Sequence, residues 1–234
     1  MATIINPTFG KISGKVGDFV IRNRNGKTFI CRKSLGRSKS SFSESELVRQ
    51  KRFGLNCKLA KCINQIDEYK VLWKKNLNGK ANTFNAIAKS NYPLVNIDGS
   101  VQHPHLAPDS IDMDFSDSCI NYSEGKIAIK LKPGSFDLVK DYKNDNLVMA
   151  AGIICLSNPL DDRKDGIVFL KAKSDVVKVS EGEETVLFIE LDGCERQIVD
   201  IYEKRMFYFG FVSMDENGNI VNSVSTFSEE LIDY

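Results

Sequence analysis

The chain has 234 residues, 42% of them hydrophobic, enough for one large core or two modest ones. No stretch approaches the ~20 apolar residues of a membrane-crossing helix. The net charge of +1 hides a division: residues 1–105 carry 19 Lys+Arg against 6 Asp+Glu, and the remainder 13 against 25. Such asymmetry points to a basic segment that docks on an anionic partner, either nucleic acid or the acidic half of a neighbouring copy.

The first residues, MATIINPTFGKISGKVGDF, have no apolar h-region, so no secretory signal is expected and synthesis is cytosolic. Residues 16–33 then read as a β-hairpin. Val16–Arg22 and Lys27–Arg32 are β-prone, and Asn23-Arg24-Asn25-Gly26 supplies the turn, since Asn-Gly tolerates positive φ. A lone hairpin is marginal in water, so something must cover it. A basic, Ser-rich linker follows at 34–41.

Ser43-x-x-Glu46 fits a capping box. Downstream, Val48, Leu55, Leu59, Cys62, Ile66, Tyr69 and Trp73 recur at three-, four- and seven-residue steps, which predicts one helix to about Lys75. Arg49, Lys51, Arg52, Lys58 and Lys61 lie on its other face. A shorter helix is expected over 81–90, with Phe84, Ile87 and Ala88 inward. Residues 94–118 read as a connection, with a strand near 111–115.

From Gly125 the pattern becomes β, with strands predicted at 126–132, 146–156, 166–172, 184–191, 204–214 and 219–227. Pro133-Gly134, Asn144-Asp145, Asp165-Gly166, Glu181-Gly182 and Asn217-Gly218 separate them. This spacing suits an antiparallel immunoglobulin/fibronectin-like β-sandwich. The antibody-type Cys…Trp…Cys framework is missing, because Trp73 lies in the helix. The expected class is therefore α+β, mainly β. It divides into an arm with hairpin and linker (1–41), a helical segment (42–93), a connection (94–118) and a sandwich domain (119–234).

Several of these segments, taken in order, carry a resemblance. Gly10-Lys11-Ile12-Ser13-Gly14-Lys15-Val16-Gly17 leads into a hairpin ending at Arg32. Gln50-x-Arg52-Phe53 and Thr83-Phe84-Asn85 follow, then Gly210-Phe211-Val212, Asn217-Gly218 and Ser223-Val224-Ser225. This order resembles a family of Bacteroidota proteins grouped as a domain of unknown function. The resemblance implies the two-part architecture and transfers no activity or catalytic residue. Charged Asp18 and Arg22 depart from the more apolar hairpin of that family.

Chemical motifs are sparse. Gly10-Lys11-Ile12-Ser13-Gly14-Lys15 is one residue too short between its glycines for a phosphate loop, and Val16 stands where a Mg²⁺-binding hydroxyl belongs. Gly10, Gly14 and Gly17 are instead expected to allow positive φ or close backbone approach in the arm. The six cysteines are scattered, with no C-x-x-C, and read as apolar filler. His103-Pro104-His105, the run Asp109, Asp112, Asp114, Asp117 and the group Asp161, Asp162, Asp165 read as loops and turns rather than metal sites. No cofactor, metal or small-molecule substrate is expected.

The strongest functional signal is the basic cluster Arg22, Arg24, Lys27, Arg32, Lys33, Arg37 and Lys39, with Phe19, Phe29 and Phe42 interleaved. Its leading reading is a non-enzymatic assembly protein joined through the basic arm, such as a connector, ring or decoration subunit of a virion or particle. A nucleic-acid-binding protein using the same residues is the alternative, and a surface or adhesion module comes third.

Overall fold

The computed structural model describes residues 2–4, 13–34, 36, 41–77, 82–98, 100–108, 119–131, 147–161, 163–179 and 183–232. The expected strand at 111–115 lies outside them. The chain divides into two compact units, Met1–Leu47 and Val48–Tyr234.

The first unit is an antiparallel sheet of β1 (Ala2–Ile4), β2 (Gly14–Val16), β3 (Phe19–Arg24) and β4 (Lys27–Arg32), in the order β1-β4-β3-β2. The expected hairpin is its centre. Asn25 and Gly26 alone form the turn, with φ of 51° and 75°, the pair of positive values that a two-residue type I′ turn requires. The hairpin is thus not two-stranded, as β1 and β2 extend it on either side.

The second unit takes most of α1 (Glu44–Asn64), then α2 (Asp67–Asn76) and α3 (Thr83–Asn91). Ser43 and Glu46 close the expected capping box: Glu46 N–H donates to Ser43 Oγ (3.3 Å), and Ser43 N–H to Glu46 Oε2 (2.9 Å). The single long helix is not what forms. Gln65 and Ile66 N–H turn to the carbonyls three residues back, at Cys62 and Ile63, and Ile66 is extended (φ −86°, ψ 110°). Asp67 and Glu68 then open α2, where negative charge suits the positive helix end. The apolar spacing runs unbroken across this bend, so periodicity carries no sign of it.

Two antiparallel sheets complete the unit. β5 (Cys119–Ser123), β6 (Lys126–Leu131) and β10 (Thr185–Glu190) form one, in the order β10-β6-β5. β7 (Leu147–Pro159), β8 (Ile167–Lys173), β9 (Val177–Lys178), β11 (Tyr202–Met214) and β12 (Ile220–Ile232) form the other. There the order is β12-β11-β7-β8, and β9 also pairs with β7. Two register shifts interrupt the β11–β12 pairing. α4 (Gly193–Asp200) was not expected. Its signal is Asp192-x-x-Glu195, whose side chains cap each other's backbone N–H at 2.7 and 3.1 Å.

The central strands β7 and β11 of the five-stranded sheet are buried on both faces. Val148, Ala150, Ile154 and Leu156 of β7, with Phe207, Phe209 and Phe211 of β11, join Ile127, Ile129, Leu187 and Val199 in one cluster. The alternate residues Met149, Ala151, Ile153, Cys155, Tyr208 and Val212 join Leu59, Ile63, Tyr69, Trp73 and Ile87 in another. The layers run three-stranded sheet, five-stranded sheet, helices. Polar atoms inside the second cluster are satisfied across layers: Tyr69 Oη donates to Ala151 O (2.7 Å), Tyr208 Oη to Val101 O (2.9 Å) and Trp73 Nε1 to Leu106 O (2.8 Å).

Candidate functional site on the N-terminal sheet

Strand side chains alternate between faces, so the register sorts the predicted site residues. Phe19 pairs with Arg32, Ile21 with Ile30 and Asn23 with Thr28; Val20 pairs with Cys31, Arg22 with Phe29 and Arg24 with Lys27. β2 adds Val16 opposite Phe19 and Lys15 opposite Val20. One face therefore presents Val16, Phe19, Ile21 and Ile30, with Arg32 at its edge. The other presents Lys15, Arg22, Arg24 and Lys27 around Val20, Phe29 and Cys31.

Of the seven predicted cations, three share the basic face. Arg32 is on the apolar face, Lys33 follows the end of β4, and Arg37 and Lys39 lie outside the described residues. Lys15 joins the three, a residue the sequence reading placed only in the glycine motif. Arg24 and Lys27 stand directly opposite each other, a pairing that costs stability in the absence of an anion. No acidic residue shares this face among the described residues. Gly14 and Gly17 have φ of 135° and 55°, and a Cβ on either would meet nothing within 4 Å. Conformation rather than close approach is what calls for glycine there; Gly10 lies outside the described residues.

The apolar face is poorly covered. Val16 is 61% and Phe19 51% exposed, and Thr28 is the one buried side chain of β2, β3 and β4. Asp18 is the single acid among residues 13–34, which contain no histidine.

His105 Nδ1 lies 2.6 Å from Ser90 Oγ, and His105 N–H donates to Asn91 Oδ1 (2.8 Å). Arg163 holds the Asp161 carboxyl below its usual range, and Lys58 does the same for Asp165 through a 2.8 Å contact. Asp162 and the run from Asp109 to Asp117 lie outside the described residues. Among the described residues, no group of three or more His, Cys, Asp or Glu is placed to hold a metal ion. Nor is any helix among them long and apolar enough to cross a membrane.

Burial pushes the Cys62 and Cys155 thiols up to about 12, from 9.0. A group whose pKa is raised on folding contributes stability below its unfolded value and loses it as pH rises toward the folded one. Stability is therefore expected to fall between pH 9 and about 12. A urea midpoint lower at about pH 10.5 than at about pH 8 would show this. The double substitution Cys62→Ala, Cys155→Ala should flatten part of the decline. An equal slope with and without the thiols would refute their contribution.

No model of a known protein family matches this chain, and no curated protein matches it.

Proposed function

We propose that the protein is a non-enzymatic assembly subunit, joined to its neighbours through the N-terminal sheet. The observation that carries this reading is a sheet whose strands β2, β3 and β4 bury one side chain, Thr28, and leave Val16 and Phe19 more than half exposed. A sheet needs an apolar face packed on something to be stable, and exposed apolar surface of this kind marks an interaction site. Charge supports a second copy as the cover. Residues 1–47 carry 9 Lys+Arg against 3 acids, and residues 48–234 carry 23 against 28.

The concrete form is a connector, ring or decoration subunit of a virion or particle, a reading that rests on fold-level analogy. We read the facing three- and five-stranded sheets as an immunoglobulin- or fibronectin-like pair roofed on one side by helices. The resemblance to the Bacteroidota family belongs to the same proposal.

Light scattering coupled to size-exclusion chromatography, on nuclease-treated protein at ~50 and ~500 mM salt, tests it. Defined oligomers are expected, and Val16→Ser with Phe19→Ser should release monomers. A wild-type monomer at both salts would refute self-assembly.

A second reading, nucleic-acid binding, is favoured by the gathering of Lys15, Arg22, Arg24 and Lys27 around Phe29, a basic surface with one stacking ring. Arg22→Ser, Arg24→Ser and Lys27→Ser together separate the two. Under this reading they abolish salt-sensitive binding to single-stranded oligonucleotide and leave the oligomer intact.

A further inference from the structure

The geometry points to a second interaction site, independent of the N-terminal sheet: an apolar groove between α1 and α3 that takes an acidic amphipathic helix of a partner protein. The groove has a volume of about 410 Å³ and is lined chiefly by Phe53, Cys57, Phe84, Ala88 and Tyr92. Phe53, an aromatic side chain suited to anchoring a partner, is 59% exposed.

Its walls run antiparallel. Arg52 of α1 donates to Tyr92 O (3.0 Å) and Val95 O (2.7 Å) beyond the end of α3, and its guanidinium lies 4.8 Å from the Tyr92 ring centroid. Asn56 Nδ2 donates to Ala88 O (2.8 Å), and Thr83 Oγ1 to Asn64 Oδ1 (2.8 Å) near the other end. These contacts fix the walls before any partner arrives. They also give roles to the Arg52-Phe53 and Thr83-Phe84 pairs that the sequence singled out.

Helical spacing selects the shape of the occupant. Phe53 and Cys57 stand four apart on α1, Phe84 and Ala88 four apart on α3, and Tyr92 four further on, just past the end of α3. Two such rows leave a furrow that accepts the i, i+4 ridge of another helix.

Charge selects its sign. Residues 48–95 hold 10 Lys+Arg against 2 acids. Both acids open α2, neither lines the groove, and Glu68 is paired with Lys173 at 3.5 Å. Lys89 lies in the lining. Arg49 and Lys61 continue the row of Phe53 and Cys57 in either direction. An apolar ridge flanked by Glu or Asp complements this rim, and one flanked by Lys is repelled.

Cys57, partly buried in the groove, reads occupancy directly. The probes are two peptides of about 18 residues, long enough to form an amphipathic helix on binding. One has Leu on the helical stripe and Glu elsewhere; its twin has Lys in place of Glu. With the full-length protein, the Glu peptide is expected to slow iodoacetamide modification of Cys57 at least ~5-fold, while exposed Cys194 keeps its rate. Phe53→Ser and Lys89→Glu each lower its affinity about tenfold; both residues lie on the surface, so the fold is retained. Equal protection by the Lys peptide, no protection by either, or indifference to both substitutions would overturn the proposal. So would Cys57 protection that rises with protein concentration and no peptide, which would assign the groove to a second copy.

Discussion

Gly152→Ala should be severely damaging for a single methyl, costing at least ~3 kcal/mol or preventing folding outright. Gly152 lies in β7, directly opposite Phe209 of β11. A Cβ there would strike the Tyr208 carbonyl oxygen and come within 2.5 Å of Phe209 Cδ1 and 2.8 Å of Phe209 Cα. Two of these atoms are backbone, in the ladder that joins the central strands, and cannot swing aside. The φ of Gly152 is not what matters; the space its missing side chain leaves is filled by the Phe209 ring. Urea unfolding of whatever soluble protein is recovered gives the number. Phe209→Ala in the same chain should relieve part of the clash, so the double variant should lose less than the two single losses summed. A Gly152→Ala protein of wild-type stability would mean that β7 and β11 are not paired as described.

Trp73→Ala ranks second, with an expected loss of about 3–5 kcal/mol. Trp73 is 5% exposed, and its indole N–H is spent on Leu106 O. Alanine there empties the wall between α2 and the segment around Leu106. The experiment also discriminates between architectures. In a sandwich whose outer faces are wet, a helix residue on the flank would be dispensable. In the layered unit, Trp73 belongs to the same cluster as Tyr69, Tyr208 and Ile153, and its removal should lower the single unfolding transition rather than free the helices alone. A loss below about 1 kcal/mol would count against the shared core.

Much of this fold is written locally. The Asn25-Gly26 turn, the Ser43–Glu46 cap and the β-strands after Gly125 rest on neighbouring residues, and the structure reproduces them with modest shifts at their ends. The apolar run 147–156 carries a further signal. A strand with one wet face alternates; ten residues with almost no polar side chain require cover on both sides, and here the helices supply the second cover. What escaped the sequence depends on distant contacts. The bend at Gln65–Ile66 leaves the apolar spacing intact and serves Tyr69 and Trp73, whose partners are 82 and 33 residues away. At the candidate site, composition identified the cations but not their faces. One residue of register decides that Arg22, Arg24 and Lys27 stand together while Arg32 turns away, and the groove between α1 and α3 needs both helices in place before it exists.

The broken register along β12 carries a consequence for the molecule's solubility. β12 is thirteen residues long and ends the five-stranded sheet, so among the described residues no strand pairs with its outer row of backbone groups. A straight edge of that length would template the addition of like strands, the route by which chains stack into fibrils. Between Phe209 and Phe211, and again between Ser213 and Met214, β12 advances one residue more than its partner. Each extra residue twists the strand and puts the outward groups out of step, so no flat run of donors and acceptors spans the whole edge. A protein kept at high local concentration can carry a long open strand in this form without seeding disordered growth from it.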